Sequence, residues 1–266
     1  SWILSFIFGM LPYVLYGGEF SLINSLFESV SGFTTTGYSV VKDVEVLPKS
    51  LLFWRSSTHF IGGLGVIVFL LLVIPDSSPF RLKMTNLELS SLSREGYRYR
   101  SSRTVWIICL VYLSLAIVET ILLWVSGMSL FDAVNHSFST IATGGFSTKN
   151  TSIAYFDSRI IEGIVIFFMV ISGMHLGMIF HFATTGSFKV FKNPVVRFYL
   201  GTIAVMTLLV AFGLLFEGAT KSVGNALWTS LFHVVSFITT TGFAIGNPYL
   251  WPIFPSVMLI YCGIQC

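Results

Sequence analysis

Three stretches of the chain repeat one pattern: SGFTTTGY at 31–38, STIATGGF at 139–146 and SFITTTGF at 236–243. Each ends in Thr-x-Gly followed by an aromatic residue. The chemistry that suits this pattern is cation coordination. An ion leaving water needs its hydration shell replaced, and backbone carbonyls do so without adding a fixed negative charge, so the ion can leave again. Carbonyls that all face one axis require alternating backbone signs, and Gly37, Gly145 and Gly242 accept positive φ at little cost. The candidate ion-binding residues are Thr35, Thr36 and Gly37, then Thr143, Gly144 and Gly145, then Thr240, Thr241 and Gly242. The threonines offer hydroxyl as well as carbonyl oxygen. Tyr38, Phe146 and Phe243 are expected to pack behind the strands and brace them. A single Thr-Thr-Gly reads as a simple turn; three copies in register argue for an ion path.

Other polar residues need a partner or a cavity in so apolar a chain. Glu28, His136 and His233 occupy the same position in the three segments that precede the motifs. They read as polar anchors holding each segment against its neighbour, with tuning of cation affinity as the lesser alternative, and Asn135 is ambiguous in the same way. In WRSSTHFIGGLG at 54–65, Arg55 is expected to meet a carboxylate at the outer surface, beside His59. Gly62, Gly63 and Gly65 permit either close helix contact or a local break. Glu119, Glu162, His175 and His181 read as packed or interfacial residues. No nucleotide-binding loop, metal-ligand cluster or nucleophile–base pair is visible, so the chain reads as a non-enzyme without an organic cofactor. Cys109, Cys262 and Cys266 lie in apolar stretches and read as buried small side chains.

The elements that must position the motifs follow from composition. The 266 residues are 54% hydrophobic and 10% charged, where a soluble domain carries about 25% charge. The mean hydropathy is +0.83. The bilayer is therefore the expected solvent, and the net charge of +3 gives no reason to expect nucleic acid. Six apolar stretches approach the roughly 20 residues a spanning helix needs: 2–16, 51–74, 104–125, 159–182, 198–216 and 251–266. Between them lie shorter, more polar stretches at 22–33, 130–141 and 226–238, the size of re-entrant pore helices. The unit is helix, pore helix, filter, helix, three times over. A shift of 108 residues puts Ser31 on Ser139, Thr35 on Thr143 and Gly37 on Gly145. A shift of 205 puts Ser31 on Ser236 and Gly37 on Gly242. The organisation expected is a first repeat at 1–75, a basic connector at 76–103, a second repeat at 104–185, a connector at 186–197 and a third repeat at 198–266. Arg81, Lys83, Arg94, Arg98, Arg100 and Arg103, with Lys189, Lys192 and Arg197, mark the connectors as cytoplasmic by the positive-inside rule, so the filters open outward. The first and last apolar stretches look cut, as in a segment of a longer polypeptide.

At SVSGFTTTG (29–37), the Trp54–Gly65 stretch, STIATGGFST (139–148) and TTTGF (239–243), the chain resembles the Trk/Ktr/HKT potassium transporter superfamily, most of all its bacterial TrkH-type members. The resemblance covers nearly the whole chain. It implies an all-α integral membrane protein of tandem helix–pore helix–helix repeats, channel-like, around a pseudo-four-fold pore. It also implies potassium uptake across the cell inner membrane, a homodimer, and cytosolic nucleotide-binding regulatory subunits. K+ would sit at Thr35, Thr36, Thr143, Gly144, Thr240 and Thr241. A first-filter glycine, here Gly37, goes with potassium selectivity in that superfamily, whereas serine goes with sodium. The departure is that only three filters are present; the fourth, and a gate expected to begin near Cys262, are looked for beyond Cys266. The rival readings are a sodium-permeable or Na+/H+-coupled relative and a non-conducting scaffold.

Overall fold

The computed structural model describes residues 2–73, 101–174, 193–246 and 251–264, and among them all regular structure is helical. The described residues hold nine α-helices, in chain order: α1 (Trp2–Tyr16), α2 (Leu22–Phe33), α3 (Lys49–Val73), α4 (Ser101–Val125), α5 (Leu130–Ile141), α6 (Arg159–Ser172), α7 (Pro194–Phe216), α8 (Val223–Ile238) and α9 (Ile253–Ile264). The short helices α2, α5 and α8 are those expected to precede the three motifs. Each starts on a serine whose hydroxyl accepts a hydrogen bond from the backbone three residues on: Ser21 from Asn24, Ser129 from Asp132 and Ser222 from Asn225. These caps satisfy amides that the first turn leaves unpaired. Ser222 also explains why α8 begins at Val223, a turn earlier than the apolar pattern at 226.

Among the described residues, α4 and α7 each hold a stretch long and apolar enough to cross a bilayer, Trp106–Val125 and Pro194–Phe216. Both keep large apolar side chains exposed, unlike a soluble helix. On α4, Trp106, Leu110, Leu113, Ile117 and Ile121 are exposed, while Tyr112, Ala116 and Glu119 are buried. An apolar outer stripe over a more polar inner one is what lipid outside and protein inside require. At 25 residues, α3 spans about 37 Å at 1.5 Å per residue. Its apolarity is interrupted by Arg55, Ser56, Thr58 and His59, all buried, which face the protein. The helix runs unbroken past Gly62 and Gly63. A Cβ on Gly62 would collide with the Phe33 carbonyl, and one on Gly63 would press on the Tyr112 hydroxyl, so close contact is their use. The stretch expected as one span at 159–182 ends as helix at Ser172, where Gly173 closes the last turn by donating to Met169 O at 2.9 Å.

Each short helix packs between its two long neighbours, α2 between α1 and α3, α5 between α4 and α6, and α8 between α7 and α9. One further contact recurs: α3 packs on α5, and α6 on α8, so the last helix of one unit covers the short helix of the next. The largest apolar cluster lies where α6, α7, α8 and α9 meet, around Val165, Met169, Val210, Phe232 and Leu259. Most of the basic connector residues, from Arg81 to Arg100 and at Lys189 and Lys192, lie outside the described residues, as do His175, His181 and Cys266.

Candidate ion-selective filter

Each short helix ends in the same hydrogen-bonded turn. Thr36 N donates to Ser31 O at 3.0 Å, Gly144 N to Ser139 O at 2.8 Å and Thr241 N to Ser236 O at 2.9 Å. The chain then alternates. Thr35 (φ 54°), Thr143 (φ 52°) and Thr240 (φ 55°) are left-handed, and so, two residues on, are Gly37 (φ 78°), Gly145 (φ 80°) and Gly242 (φ 84°). Alternation at every second residue turns successive carbonyls the same way, the backbone form that a row of cation-coordinating oxygens needs. The glycine half of this alternation was legible in the motif. The threonine half was not, because a β-branched residue at positive φ is a steric outlier. In each strand that threonine hydroxyl bonds to the carbonyl just before it: Thr35 to Thr34 O at 2.7 Å, Thr143 to Ala142 O at 2.8 Å and Thr240 to Thr239 O at 2.7 Å. Such local bonding is how a short polar side chain offsets left-handed strain.

The hydroxyls of Thr36 and Thr241 are also engaged, each 2.7 Å from the hydroxyl two residues before, on Thr34 and Thr239. Ser31 Oγ donates to Tyr38 O at 2.6 Å, and Ser236 Oγ donates to Phe243 O at 2.7 Å, tying strand end to helix end. These serines had aligned across the repeats, and that alignment was the one available sign of their use. In the second strand the pattern changes: Ser139 Oγ lies 3.1 Å from His59 Nδ1 instead. The same imidazole explains why Gly144 stands where the other strands carry threonine, since a Cβ there would collide with the His59 ring.

The three strands contact one another in sequence. A Cβ on Gly37 would strike the Gly144 carbonyl oxygen, and a Cβ on Gly145 would strike that of Thr241. Gly144 and Thr241 hold equivalent places in their strands, so the first two strands each present their glycine to the same carbonyl of the next. Among the described residues nothing lies within 4 Å of a Cβ on Gly242. The outer loops link in the same order. Asn150, after the second strand, accepts from Val44 N at 2.9 Å and donates to Asp43 Oδ1 at 2.7 Å. The Asn150 amide and the Glu45 backbone amide hold the Asp43 carboxyl below its ordinary range. Ala154 N in turn donates to Ala244 O at 3.3 Å, beyond the third strand.

The aromatic residues divide. Phe146 and Phe243 are buried, but Tyr38 is 71% exposed, so the expectation that all three brace the strands from behind fails for Tyr38. The reason lies in the neighbours. Phe146 is covered from α3, with His59 stacked on it at 4.0 Å and the Arg55 guanidinium over its ring at 4.1 Å. Phe243 packs on His136 of α5 at 5.7 Å. Each is covered by the preceding unit, and among the described residues no unit precedes the first. The same holds for the short helices: Leu22, Ile23, Leu26 and Phe27 of α2 are exposed, while Phe232, at the place equivalent to Phe27, is fully buried under α6.

Arg55 does not meet its carboxylate at the outer surface. It pairs inside the protein with Glu28 of α2, Nε to Oε2 at 3.3 Å. Glu28 Oε1 accepts from Ser39 Oγ at 2.6 Å and from Val40 N at 2.7 Å. His136 stands equivalently 2.9 Å from Ser147. His233 has Ala244 at the corresponding place, and its Nε2 has no hydrogen-bond partner among the described residues. Glu119 is fully buried, and Glu162 accepts from the Trp228 indole, both packed as the sequence reading expected. Asn135 is buried and donates to Phe131 O at 2.6 Å, within its own helix.

The family model described as TrkH, cation transport protein, matches residues 2–245. The chain is 34% identical over 255 residues to the Trk system potassium uptake protein TrkH of Salmonella typhimurium, covering 95% of this chain and 53% of that protein. It is 35% identical over 261 residues to the protein of the same name from Vibrio parahaemolyticus, again covering 95% of this chain and 53% of the relative. The crystal structure of the potassium transporter TrkH from Vibrio parahaemolyticus superimposes with a TM-score of 0.81 over 98% of this chain and 53% of that one, at 34% identity. The chain thus spans about half the length of these relatives.

Proposed function

From the membership of this chain in the TrkH family of cation transport proteins, with the all-α membrane fold of that family, we propose that it forms the greater part of a potassium uptake pathway in the cell inner membrane. Potassium, as the transported substrate, passes along the backbone oxygens of Thr35, Thr36 and Gly37, of Thr143, Gly144 and Gly145, and of Thr240, Thr241 and Gly242. The observation that carries this reading is the shared alternation of positive φ in three strands that contact one another carbonyl to glycine. Oxygen rows of this kind replace water around a bare monovalent cation, and glycine keeps the wall free of side chains. The C-terminal ends of α2, α5 and α8 run into the strands and lend partial negative charge there, which favours cations over anions.

Three helix–pore helix–helix repeats, at 1–75, 104–185 and 198–266, surround a pseudo-four-fold axis on this reading. A fourth strand belongs against the open side of Gly242, and its closing helix against the bare face of α2. Conduction is channel-like and gated. The filters open outward, the basic connectors lie in the cytoplasm, and the protein acts as a homodimer with cytosolic nucleotide-binding regulatory subunits. These last assignments rest on the family.

The test is flux through the full-length protein in proteoliposomes. Potassium is expected to enter well ahead of sodium, and Gly37→Ser, whose Cβ meets the Gly144 carbonyl oxygen, is expected to cut potassium flux steeply and to narrow that preference by about tenfold. Equal passage of the two ions by the unaltered protein, or unaltered selectivity in Gly37→Ser, would sink the reading.

A further inference from the structure

Behind the first filter lies a closed network that the permeation chemistry does not itself require. Glu28 on α2 and Arg55 on α3 are 0% and 2% exposed. Among the described residues Arg55 is the one buried arginine or lysine. Its Nε donates to Glu28 Oε2 at 3.3 Å, and its Nη2 donates to Ser39 Oγ at 2.9 Å. Ser39 Oγ in turn donates to Glu28 Oε1 at 2.6 Å, and Val40 N donates to the same oxygen at 2.7 Å. Ser39 and Val40 directly follow Tyr38, the outer end of the first strand. The guanidinium face meanwhile rests 4.1 Å from the centre of the Phe146 ring, in the second strand.

We propose that Glu28 and Arg55 are a positioning unit that locks the outer end of the first filter to the second, and thereby sets how sharply the pathway separates potassium from other monovalent cations. The proposal rests on the reading of the strands as the cation path. A buried ion pair is poor value for stability alone, because apolar residues of the same volume often hold a fold better. What an ion pair adds is direction. The planar guanidinium fixes donor angles toward Glu28 and Ser39 while its face packs on an aromatic ring. Glu28 brings two oxygens to three donors, so the strand end cannot drift without breaking charge-assisted bonds. Filter selectivity depends on oxygens held at fixed separations, and the first strand lacks the other support. Tyr38 is exposed where Phe146 and Phe243 are packed. At the equivalent place the second strand has the His136–Ser147 contact, next to a hydrogen bond from Thr148 to Asp132, and the third has Ala244.

The experiment uses the full-length protein carrying Glu28→Gln, Arg55→Gln, both together, or Ser39→Ala. Two quantities are read on monodisperse protein: the potassium-to-sodium flux ratio in proteoliposomes, and the rise in melting temperature that added potassium produces over sodium. Each single charge removal is expected to lower the flux ratio about tenfold, and the double variant no more than the worse single, as coupled groups behave. Ser39→Ala is expected to lower it about threefold. The potassium-specific melting shift should shrink in the same order. Folded variants with the parent flux ratio, or single effects that simply multiply in the double, would overturn the proposal. Should the charge variants fail to fold, Ser39→Ala decides it alone on the same two readouts, a lowered ratio supporting it and an unchanged one overturning it. An unaltered protein that passes no potassium defeats the permeation reading, and the melting shift still judges the brace: its loss in the variants supports the unit, and its absence in the parent overturns both.

Discussion

The first and third filters carry nearly the same strand on different supports. Both place threonine and glycine at positive φ, both pair a threonine hydroxyl with the next but one at 2.7 Å, and both receive a serine from their own short helix at the strand end. Yet the first strand presents its glycine to Gly144, is tied by Glu28 and Arg55, and leaves its aromatic residue exposed. The third buries Phe243 completely and, among the described residues, has nothing against Gly242 and a histidine with an unpartnered Nε2 where the first has glutamate. The difference separates two contributions. The first and third strands owe their common shape to hydrogen bonds that both repeats keep, whereas their bracing differs: the first is tied within its own repeat by Glu28 and Arg55, and the third is covered by the preceding unit.

That comparison is broken most directly at the glycines. Gly37→Ala and Gly145→Ala each drive a methyl into a carbonyl oxygen of the next strand, and potassium flux in proteoliposomes is expected to fall by at least about a hundredfold when oxygens are displaced by about 1 Å. Gly242→Ala meets nothing among the described residues. With a fourth strand seated there in the full-length protein, its loss should match the other two; a mild effect, at most about 1 kcal/mol from the left-handed backbone, would count against that strand. Next comes the support itself. Glu28→Gln strands the Arg55 charge and should destabilise the folded protein by about 3–5 kcal/mol, while His233→Gln should cost about 1 kcal/mol or less, both read as thermal unfolding in detergent. Ala244→Ser tests the comparison by gain: it supplies the hydroxyl that Ser147 offers His136, and should stabilise by about 1 kcal/mol. Unchanged melting would mean the third strand tolerates its open histidine without loss.

The smallest effect concerns the outer loops. The Asp43 carboxyl is held below its ordinary range by Asn150 first and the Glu45 amide second. A depressed folded-state value means the unfolded chain takes up the proton first, so the contribution is complete above the unfolded value and disappears as pH falls through the folded one. Melting curves of Asp43→Asn and the parent should therefore differ near neutrality and converge in acid. Divergence that grows toward acid would reverse the assignment.

Much of this was legible in the residues. Three motifs that align without gaps at shifts of 108 and 205 pointed to the repeating unit, and the need for one-sided carbonyls pointed to positive φ at each glycine. Thr35, Thr143 and Thr240 were missed in the same role because sterics argue against them, and only a hydroxyl folded back on its own backbone makes the conformation tolerable. The partner of Arg55 was misplaced because charge in an apolar sequence suggests an outer surface, and nothing in the residue types says that Glu28 turns inward. Tyr38 was misread for a different reason: its motif matches the other two, but its cover would come from a preceding unit, and periodicity within one repeat carries no information about that.

The glycine-to-carbonyl contacts have one more consequence, for how such a protein changes over time. Between adjacent strands the touching atoms belong to the main chain, so the spacing of the strands is gauged by peptide dimensions that every copy inherits alike. Side chains around them differ between the copies, alanine and glycine at 142 and 144 standing where threonine stands at 34 and 36. Duplicated copies could diverge in dress while keeping one calibre, and selection on ion size would have needed to guard only a single atom type in each.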